Sequence, residues 1–265
     1  MTVATAASPM LQDRLAVVTG GGRGIGAACA LALGQAGARL ALLGRDPAQL
    51  ERQAHALMDE HAVQAKFIAC DVADEAAVAR AFALIRQTLG DPHVLVNNAG
   101  QSAGVAFADT TRDTWDRMIA VNLTGTFLCT REVLPAMLRA GAGRVINVAS
   151  TAGLKGYSHT AAYCAAKHGV VGMTRALAME TAKKGITVNA VCPGYTDTDM
   201  AASAIQNLVD AGRTEDEARK AITRVMPIGR LIRPDEVASA VLWLCSEAAA
   251  AVTGQAIAVA GGEVT

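Results

Sequence analysis

Residues 15–26 have the sequence LAVVTGGGRGIG, in which a short apolar run leads into a glycine-rich loop. The aliphatic run at 15–19 predicts a buried strand, and the Ala-rich segment from Gly24 predicts a helix. Glycines between a strand and a helix allow positive φ and let backbone N–H groups approach a pyrophosphate at the helix N-terminus. The alternative is a flexible glycine turn, but the strand-to-helix context favours a dinucleotide site.

The alternation of short strands and longer helices continues along the chain. Six further strands are predicted at 39–43, 64–69, 94–97, 144–148, 187–192 and 255–259. Helices are predicted to start near Gly24, Pro47, Asp74, Thr111, Tyr157 and Pro234. Regular alternation implies right-handed crossovers and a parallel sheet with helices on both faces. We therefore predict an α/β fold, a single doubly wound domain with a seven-stranded parallel sheet over residues 13–265.

Two segments depart from this alternation. Residues 1–12 lack a strand or helix pattern and are predicted to form a flexible leader. Residues 195–228 are charged and partly helical, and they lie between the sixth strand and a helix. Such an insertion predicts a flap over a substrate site.

Composition excludes several classes of protein. The 24 Lys and Arg residues balance 24 Asp and Glu residues, which argues against a general nucleic-acid binder. No segment has the roughly 20 predominantly apolar residues of a membrane-spanning helix, and the first ten residues lack the pattern of a secretory signal. The six cysteines form no CxxC pair and show no zinc-ligand spacing, so we expect no metal and reduced thiols in a cytoplasmic protein.

The residues after the second strand bear on the choice of dinucleotide. NAD-binding proteins often place an acidic residue there, to bind the ribose hydroxyls. Here Gly44 and Arg45 follow the strand, and Arg23 lies in the glycine loop. Because guanidinium groups bind phosphate strongly, this pattern favours NADP(H), with NAD(H) as the alternative. Asp46 competes for the acidic role, but its position before Pro47 is that of a helix N-cap.

A second group of residues predicts proton transfer. Tyr163 and Lys167 are four residues apart and share one helix face. Ser150 follows the fifth strand, at the edge of the sheet where ligands bind, and Asn122 lies in the preceding helix. Reduction of a carbonyl by hydride needs a proton donor and a hydrogen-bond partner for the developing alkoxide. A lysine cation about 5–6 Å from a phenol contributes roughly 3 kcal/mol, which predicts a Tyr163 pKa lowered by about two units.

Each of these residues alone is ordinary, because YxxxK pairs and serines after strands are common. Their combination in this order, after the glycine loop, resembles the short-chain dehydrogenase/reductase family from about residue 12 onward. The matching segments are 19–26, Cys70-Asp71-Val72, Asn97-Asn98-Ala99-Gly100, Asn122, Ser150, Tyr163 with Lys167, and Cys192-Pro193-Gly194. The resemblance implies a Rossmann-like fold and an NAD(P)(H)-dependent enzyme that interconverts a ketone and a secondary alcohol.

The resemblance also implies a role for each matching residue. Ser150 would bind the substrate carbonyl, Tyr163 would be the acid/base, Lys167 would hold the nicotinamide ribose, and Asn122 would support a water-linked proton path. The implied cofactor contacts are Gly20, Gly22, Arg23, Gly24, Ile25, Gly26, Arg45, Asp71, Val72, Asn98, Ala99, Gly100, Tyr163, Lys167, Pro193, Gly194, Thr196 and Thr198. The implied substrate contacts are Ser150, Tyr157, Tyr163 and Met200.

The substrate is less well determined by the sequence. The segment 150–262 is most similar to ketoreductases that act on 3-oxoacyl thioesters of coenzyme A or a carrier protein. A dehydrogenase of a small alcohol, sugar or steroid is the alternative, and a cofactor-binding regulator without turnover is a second. The resemblance further implies a homotetramer joined by helices at about 111–139 and 157–183 and by the last strand. One departure from the family is Ala260-Gly261-Gly262 where Asp-Gly-Gly is common; we expect it to touch no step of the chemistry.

Overall fold

A seven-stranded parallel sheet forms the centre of the computed structural model, which describes residues 9–264. The strand order is β3-β2-β1-β4-β5-β6-β7, and every neighbouring pair is parallel. The strands are β1 Leu15–Thr19, β2 Arg39–Gly44, β3 Ala65–Ala69, β4 Val94–Asn97, β5 Gly143–Val148, β6 Ile186–Pro193 and β7 Ala256–Val259. All seven predicted strands are confirmed, and their ends differ from the predicted ends by at most one residue.

The described part of the chain has nine α-helices, most of which cover the two faces of the sheet. They are α1 Gly24–Gln35, α2 Pro47–His61, α3 Glu75–Leu89, α4 Arg112–Ile119, α5 Gly125–Ala140, α6 Ala161–Thr181, α7 Asp199–Asp210, α8 Glu215–Thr223 and α9 Pro234–Cys245. A π-helical segment, Ala120–Thr124, joins α4 to α5. The predicted α/β class and double winding are therefore confirmed.

Alternate residues of β1 face the two halves of the core. Ala16 and Val18 pack in a cluster with residues of α1 and α9, whereas Leu15 and Val17 pack with residues of α3 and α5. All five residues of β1 are buried. A strand covered on both faces needs apolar residues at every position, which explains why its sequence shows an unbroken apolar run rather than alternation.

Side-chain caps determine where several helices begin. Asp46 precedes α2 and accepts a hydrogen bond from the backbone N–H of Gln49 at 3.1 Å, which confirms its predicted capping role. Asp74 and Thr111 cap α3 and α4 in the same way. The fifth predicted helix start is corrected: this helix, α6, begins at Ala161, not near Tyr157. His159 has φ of 63°, and this left-handed residue prevents the helix from starting earlier.

The last residues of the predicted flexible leader, 9–12, are packed against the fold, which corrects that prediction. Leu11 is 3% exposed, packs in the core and donates its N–H to the Ala36 carbonyl at 2.8 Å. Residues 9–12 are therefore held against α1 and its end, because burial of Leu11 removes apolar surface from water. The rest of the predicted leader, residues 1–8, lies outside the described residues.

The predicted flap contains α7 and α8. Ile205 of α7 packs against Ala218 and Ile222 of α8, so the two helices share a small core of their own. The structure thus confirms the helical content of residues 195–228. Movement of this segment over a substrate stays a prediction.

The structure also bears on membrane-spanning helices, metal sites and the cysteine thiols. None of the helices in residues 9–264 is both long enough and apolar enough to cross a membrane. Within the same residues, no cluster of three or more His, Cys, Asp or Glu side chains is arranged to hold a metal ion. All six cysteines have free thiols.

Candidate active site

The glycine loop turns sharply between β1 and α1. Gly20 and Gly24 have φ of 62° and 53°, a region that residues with a side chain rarely adopt. A Cβ on Gly26 would lie 2.1 Å from the Gly20 carbonyl oxygen, so only glycine lets α1 pack this closely on the turn. The loop therefore has the tight turn and the close helix–strand packing that a pyrophosphate site requires.

Polar contacts from the end of β4 hold this loop. The Asn98 side-chain amide donates to the carbonyls of Thr19 and Gly20 at 3.0 and 3.2 Å. The Thr19 hydroxyl in turn accepts from the backbone N–H groups of Asn98 and Ala99 at 2.9 and 3.0 Å. The resemblance implies that Asn98 contacts the cofactor; in the structure its amide fixes the glycine loop.

The N-terminus of α1 is open to an anionic ligand. Arg23 occupies the N-cap position but makes no side-chain capping hydrogen bond. The N–H groups of the first helical turn lack partners within the helix and carry the positive end of its dipole. Together with the glycine turn, this arrangement fits the pyrophosphate of a dinucleotide.

Two arginines lie near this end of the sheet. Arg45 follows β2 and is exposed. Arg23 is also exposed, and its guanidinium forms an ion pair with Asp199 at the start of α7. The Thr198 methyl group lies against the loop as well, 3.0 Å from the position of a Cβ on Gly24. The start of the flap thus contacts the glycine loop directly.

The other predicted cofactor contacts lie at the same edge of the sheet, after β3, β4 and β6. The Asp71 carboxylate accepts from the Ala73 N–H at 3.0 Å, beside the buried Val72. Thr196 is 5% exposed and donates its hydroxyl to the Gly194 carbonyl at 3.0 Å. Pro193 ends β6 and is buried. Parallel strands bring these residues together because all their carboxyl ends point the same way.

Ser150 and Tyr163 meet beyond the end of β5. The Ser150 side chain accepts from the Ala152 N–H at 3.1 Å, which caps a short 3-10 turn. Tyr163 lies close enough for the Ser150 side chain to lower the pKa of its phenol, against the larger effect of burial. Two neighbouring hydroxyl groups suit one carbonyl oxygen, and that shared role stays a prediction.

Lys167 lies one turn along α6 from Tyr163. Its ammonium group is 5.7 Å from the Tyr163 ring centroid and donates to the Val148 carbonyl at 2.9 Å. The side chain is buried. The two side chains are therefore neighbours on α6, and a backbone carbonyl at the end of β5 orients the lysine.

The prediction of a lowered Tyr163 pKa is wrong. Burial raises the pKa of Tyr163 to about 12, although the Ser150 side chain acts in the opposite direction. Burial also lowers the pKa of Lys167 to about 8. Desolvation disfavours both charged forms and is the largest cause of the pKa shift at each residue. The isolated site therefore holds a neutral phenol at neutral pH.

Asn122 lies in the π-helical segment between α4 and α5 and is fully buried. Its side-chain nitrogen donates to the carbonyls of Gln101 and Met118 at 2.9 and 3.0 Å, and its oxygen accepts from the Gln101 N–H at 3.2 Å. A Cβ on Gly100 would lie 2.8 Å from that oxygen and 3.7 Å from the Lys167 ammonium. Asn122 thus fixes the segment that passes beside Lys167; its part in a water-linked proton path stays a prediction.

A model of the family described as enoyl-(acyl carrier protein) reductase matches residues 20–263. This match spans the glycine loop from Gly20 onward, the Ser150–Tyr163–Lys167 group and six of the seven strands, all except β1. The chain belongs to the short-chain dehydrogenase/reductase family. As a member of this family it is an oxidoreductase, and the resemblance stated from its motifs is confirmed.

Known members of the short-chain dehydrogenase/reductase family resemble this chain over nearly its whole length. It is 41% identical to a 2-(S)-hydroxypropyl-CoM dehydrogenase of Xanthobacter autotrophicus, covering 96% of this chain and 98% of that protein. It is 39% identical to an acetoacetyl-CoA reductase of Shinella zoogloeoides, over 95% of this chain and 98% of that protein. A crystal structure of an actinorhodin polyketide ketoreductase variant with NADPH matches with a TM-score of 0.91 and 43% identity. The match covers 94% of this chain and 97% of that chain.

The predicted substrate residues of this short-chain dehydrogenase/reductase differ in surroundings. Met200, in α7, is 42% exposed. The Tyr157 hydroxyl is engaged by Thr151 and by Glu263. Neither arrangement tests a contact with substrate, so both assignments stay predictions.

Sequence analysis missed two carboxylates at this site. Asp199 pairs with Arg23, and Glu263 is buried beside Tyr157. Asp199 sits in a charged segment with no motif, so no signal marked it. Glu263 directly follows Gly261 and Gly262, and an acidic residue after a glycine pair at the end of the last strand was a signal that could have drawn attention to it.

Proposed function

We propose that this protein reduces the ketone of a 3-oxoacyl thioester to a secondary alcohol with NADPH. The observation that carries the proposal is the convergence of Ser150, Tyr163 and Lys167 beside a glycine loop that fits a dinucleotide pyrophosphate. Two relatives support this substrate class by their names. One is an acetoacetyl-CoA reductase, and the other is a polyketide ketoreductase.

The side chains of the site divide the work of carbonyl reduction. When bound, the nicotinamide cofactor supplies the hydride. Ser150 donates a hydrogen bond to the carbonyl oxygen, and Tyr163 gives that oxygen its proton as charge develops. Because burial keeps Tyr163 protonated, the phenol is already in the form that reduction requires. Lys167, held by the Val148 carbonyl, contributes positive charge next to the phenolate that remains.

We assign the adenosine 2′-phosphate of NADPH to Arg45 and Arg23. Both residues follow strands at one edge of the sheet and are exposed, and Asp46, the next residue after Arg45, is committed to capping α2. Binding of the phosphate by Arg23 requires its exposed ion pair with Asp199 to open. Arg45→Ala is expected to raise the KM for NADPH about 10-fold and leave the KM for NADH unchanged, since a charge-assisted bond to phosphate is lost. The other cofactor contacts named from the sequence are proposed on the same basis.

The decisive experiment follows cofactor absorbance at 340 nm. Acetoacetyl-CoA, simple ketones and sugars are offered with NADPH and with NADH. The proposal expects turnover of acetoacetyl-CoA that is faster with NADPH than with NADH. Turnover of a sugar with no turnover of any thioester would overturn the thioester substrate, and no turnover of any compound would favour the cofactor-binding regulator.

A small alcohol is the second candidate substrate. The likeness to 2-(S)-hydroxypropyl-CoM dehydrogenase favours it, because that relative is named for oxidation of a secondary alcohol on a short chain. Oxidation needs Tyr163 as a base, which its raised pKa opposes in the protein without cofactor. The reverse assay, with secondary alcohols and the oxidised cofactor, separates the two candidates.

We also propose a homotetramer in the cytoplasm. Phe127 of α5 and Met179 of α6 are 45% and 85% exposed, on two of the elements that were predicted to join subunits. Exposed apolar side chains on these helices are compatible with burial in an interface. The six free thiols fit a reducing compartment. Light scattering decides the first proposal: a mass near that of one 27.2 kDa chain would overturn it.

A further inference from the structure

Glu263 is a carboxylate whose side chain is fully buried, at 0% exposure. It follows Gly261 and Gly262, which have φ of 58° and 86°. A Cβ on Gly261 would lie 2.3 Å from the Ile228 side chain, so the two glycines let the chain pass closely under the end of the flap. The turn brings Glu263 from the end of β7 to the end of β6, where Oε2 lies 2.9 Å from the position of a Cβ on Gly194.

Glu263 is bound by the segment that follows Ser150. The Tyr157 hydroxyl donates to its Oε1, and the Lys155 ammonium lies 3.3 Å from the same oxygen. Lys155 also donates to the Glu263 backbone carbonyl at 3.2 Å. The Tyr157 oxygen lies 2.6 Å from the Thr151 hydroxyl. Since a phenol has one proton, donation to the carboxylate leaves the Tyr157 oxygen to accept from Thr151.

The charge of Glu263 acts on two of the three tyrosines of the chain. Burial and the hydrogen bond to Glu263 raise the pKa of Tyr157 well above its ordinary value. Burial and the charge of Glu263 raise the pKa of Tyr195, the residue after Gly194. Glu263 is not among the causes that shift the pKa of the third tyrosine, Tyr163.

One carboxylate oxygen, Oε2 of Glu263, has no hydrogen-bond partner among residues 9–264. A buried carboxylate that is only partly satisfied is unfavourable compared with an apolar side chain of similar size. Packing alone therefore does not account for a glutamate here.

We propose that Glu263 is a positioning residue for the reduction: its carboxylate holds Tyr157 against Thr151 and so fixes the wall next to Ser150. This rests on the proposed function, in which Ser150 orients the carbonyl. Thr151 adjoins Ser150 in the chain and starts the turn that Ser150 caps. Loss of the carboxylate loosens Tyr157 and Thr151, and with them the hydroxyl that must meet the substrate oxygen.

The first test is a double-mutant cycle with Glu263→Gln and Tyr157→Phe. Each single variant is expected to lower kcat about 10-fold, or ~1.4 kcal/mol, and to leave the dissociation constant for NADPH unchanged. The double variant is expected to be no slower than either single variant, because both substitutions break the same hydrogen bond. Additive losses, or a loss that falls wholly on KM or on NADPH binding, would overturn the proposal.

A second test needs no turnover. Tyrosinate absorbance is followed against pH in the folded wild type and in Glu263→Gln. Removal of the charge is expected to lower the pKa of both Tyr157 and Tyr195, and the part of the change that Tyr157→Phe abolishes is assigned to Tyr157. An unchanged titration would overturn the contact with Tyr157. If instead wild type reduces no carbonyl but the titration shifts, the proposed function fails while the contact stands.

Glu247→Gln is the matched control. Glu247 pairs with Arg144 on the surface, and its side chain is 86% exposed. The same chemical change there is expected to leave kcat and the tyrosine titration unchanged. If Glu263→Gln does not fold, Tyr157→Phe alone must still lower kcat with NADPH binding intact. A Tyr157→Phe enzyme with wild-type kcat would overturn the proposal.

Discussion

Burial shifts the pKa values of Tyr163 and Lys167 in opposite directions. The phenol gains a pKa of about 12 and the ammonium group one of about 8, because neither charged form is well solvated. At neutral pH the Tyr163 phenol is therefore protonated, and Lys167 carries its positive charge only below about pH 8. This state suits proton donation to a reduced carbonyl.

Tyr163→Phe removes the proposed proton donor and little else. The ring, and with it the packing of α6, is retained. We expect kcat to fall by about 10²- to 10⁴-fold, the range for loss of a general acid. Titration of NADPH fluorescence should show a dissociation constant within about 2-fold of wild type. Retained turnover would remove the assigned role.

The pH dependence of reduction should follow Lys167. A base whose pKa is lowered to about 8 carries its charge below that pH and loses it above. We expect kcat/KM for NADPH, which reports groups of the free enzyme, to be level near neutrality and to fall as the pH rises through about 8. Initial rates across this range provide the measurement. A level profile well above pH 8 would contradict the prediction.

The loop between β1 and α1 depends on glycine for two different reasons. Gly20 and Gly24 are needed for their positive φ, whereas Gly26 is needed because a side chain would strike the Gly20 carbonyl. The first requirement concerns the backbone alone, and the second concerns how α1 packs on the turn. Substitutions at the two kinds of position therefore test different properties.

Gly26→Ala should damage the loop by overpacking. The new Cβ would lie 2.1 Å from the Gly20 oxygen and 2.5 Å from the Asn98 amide nitrogen. We expect a loss of about 1–3 kcal/mol in the free energy of unfolding and weaker NADPH binding. Urea unfolding and NADPH titration measure the two effects.

Gly172→Ala is the matched control for that substitution. Gly172 lies within α6, and nothing lies within 4 Å of its added Cβ. Alanine favours the helix by about 0.5–1 kcal/mol, so we expect equal or greater stability and unchanged NADPH binding. A loss at Gly172 as large as at Gly26 would show that the crowding argument is wrong.

The parallel sheet assembles the site from segments far apart in the chain. The glycine loop follows β1, Ser150 follows β5, Gly194 follows β6, and Glu263 follows β7. All strands run in one direction, so their carboxyl ends lie at one edge. Ligand binding at that edge therefore engages the whole sheet rather than one local motif.

NADPH should stabilise the folded molecule as a whole. A ligand present at 100 times its dissociation constant adds about 2.7 kcal/mol to the free energy of unfolding. For a domain of this size that corresponds to a rise in Tm of roughly 5–10 °C. We expect a smaller rise with NADH at the same concentration. Thermal melts with each cofactor are the measurement, and equal rises would contradict the preference for NADPH.

Local patterns along the chain were sufficient for the strands, for most helix starts and for the Tyr163–Lys167 spacing. Each depends on neighbours within a few residues: apolar runs for buried strands, Asp46 before Pro47 for a cap, and four residues for one helical turn. The start of α6 was predicted too early because one left-handed residue, His159, interrupts a pattern that otherwise favours helix.

The protonation of Tyr163, the pairing of Arg23 with Asp199 and the burial of Glu263 followed from the folded chain alone. A pKa depends on how much water surrounds a group, and that is decided by segments distant in the chain. Glu263 meets Tyr157 across 106 residues, through a turn of two glycines and the packing of the flap. Residue order encodes short-range geometry directly, whereas solvation and contacts between strand ends arise only when the sheet has closed.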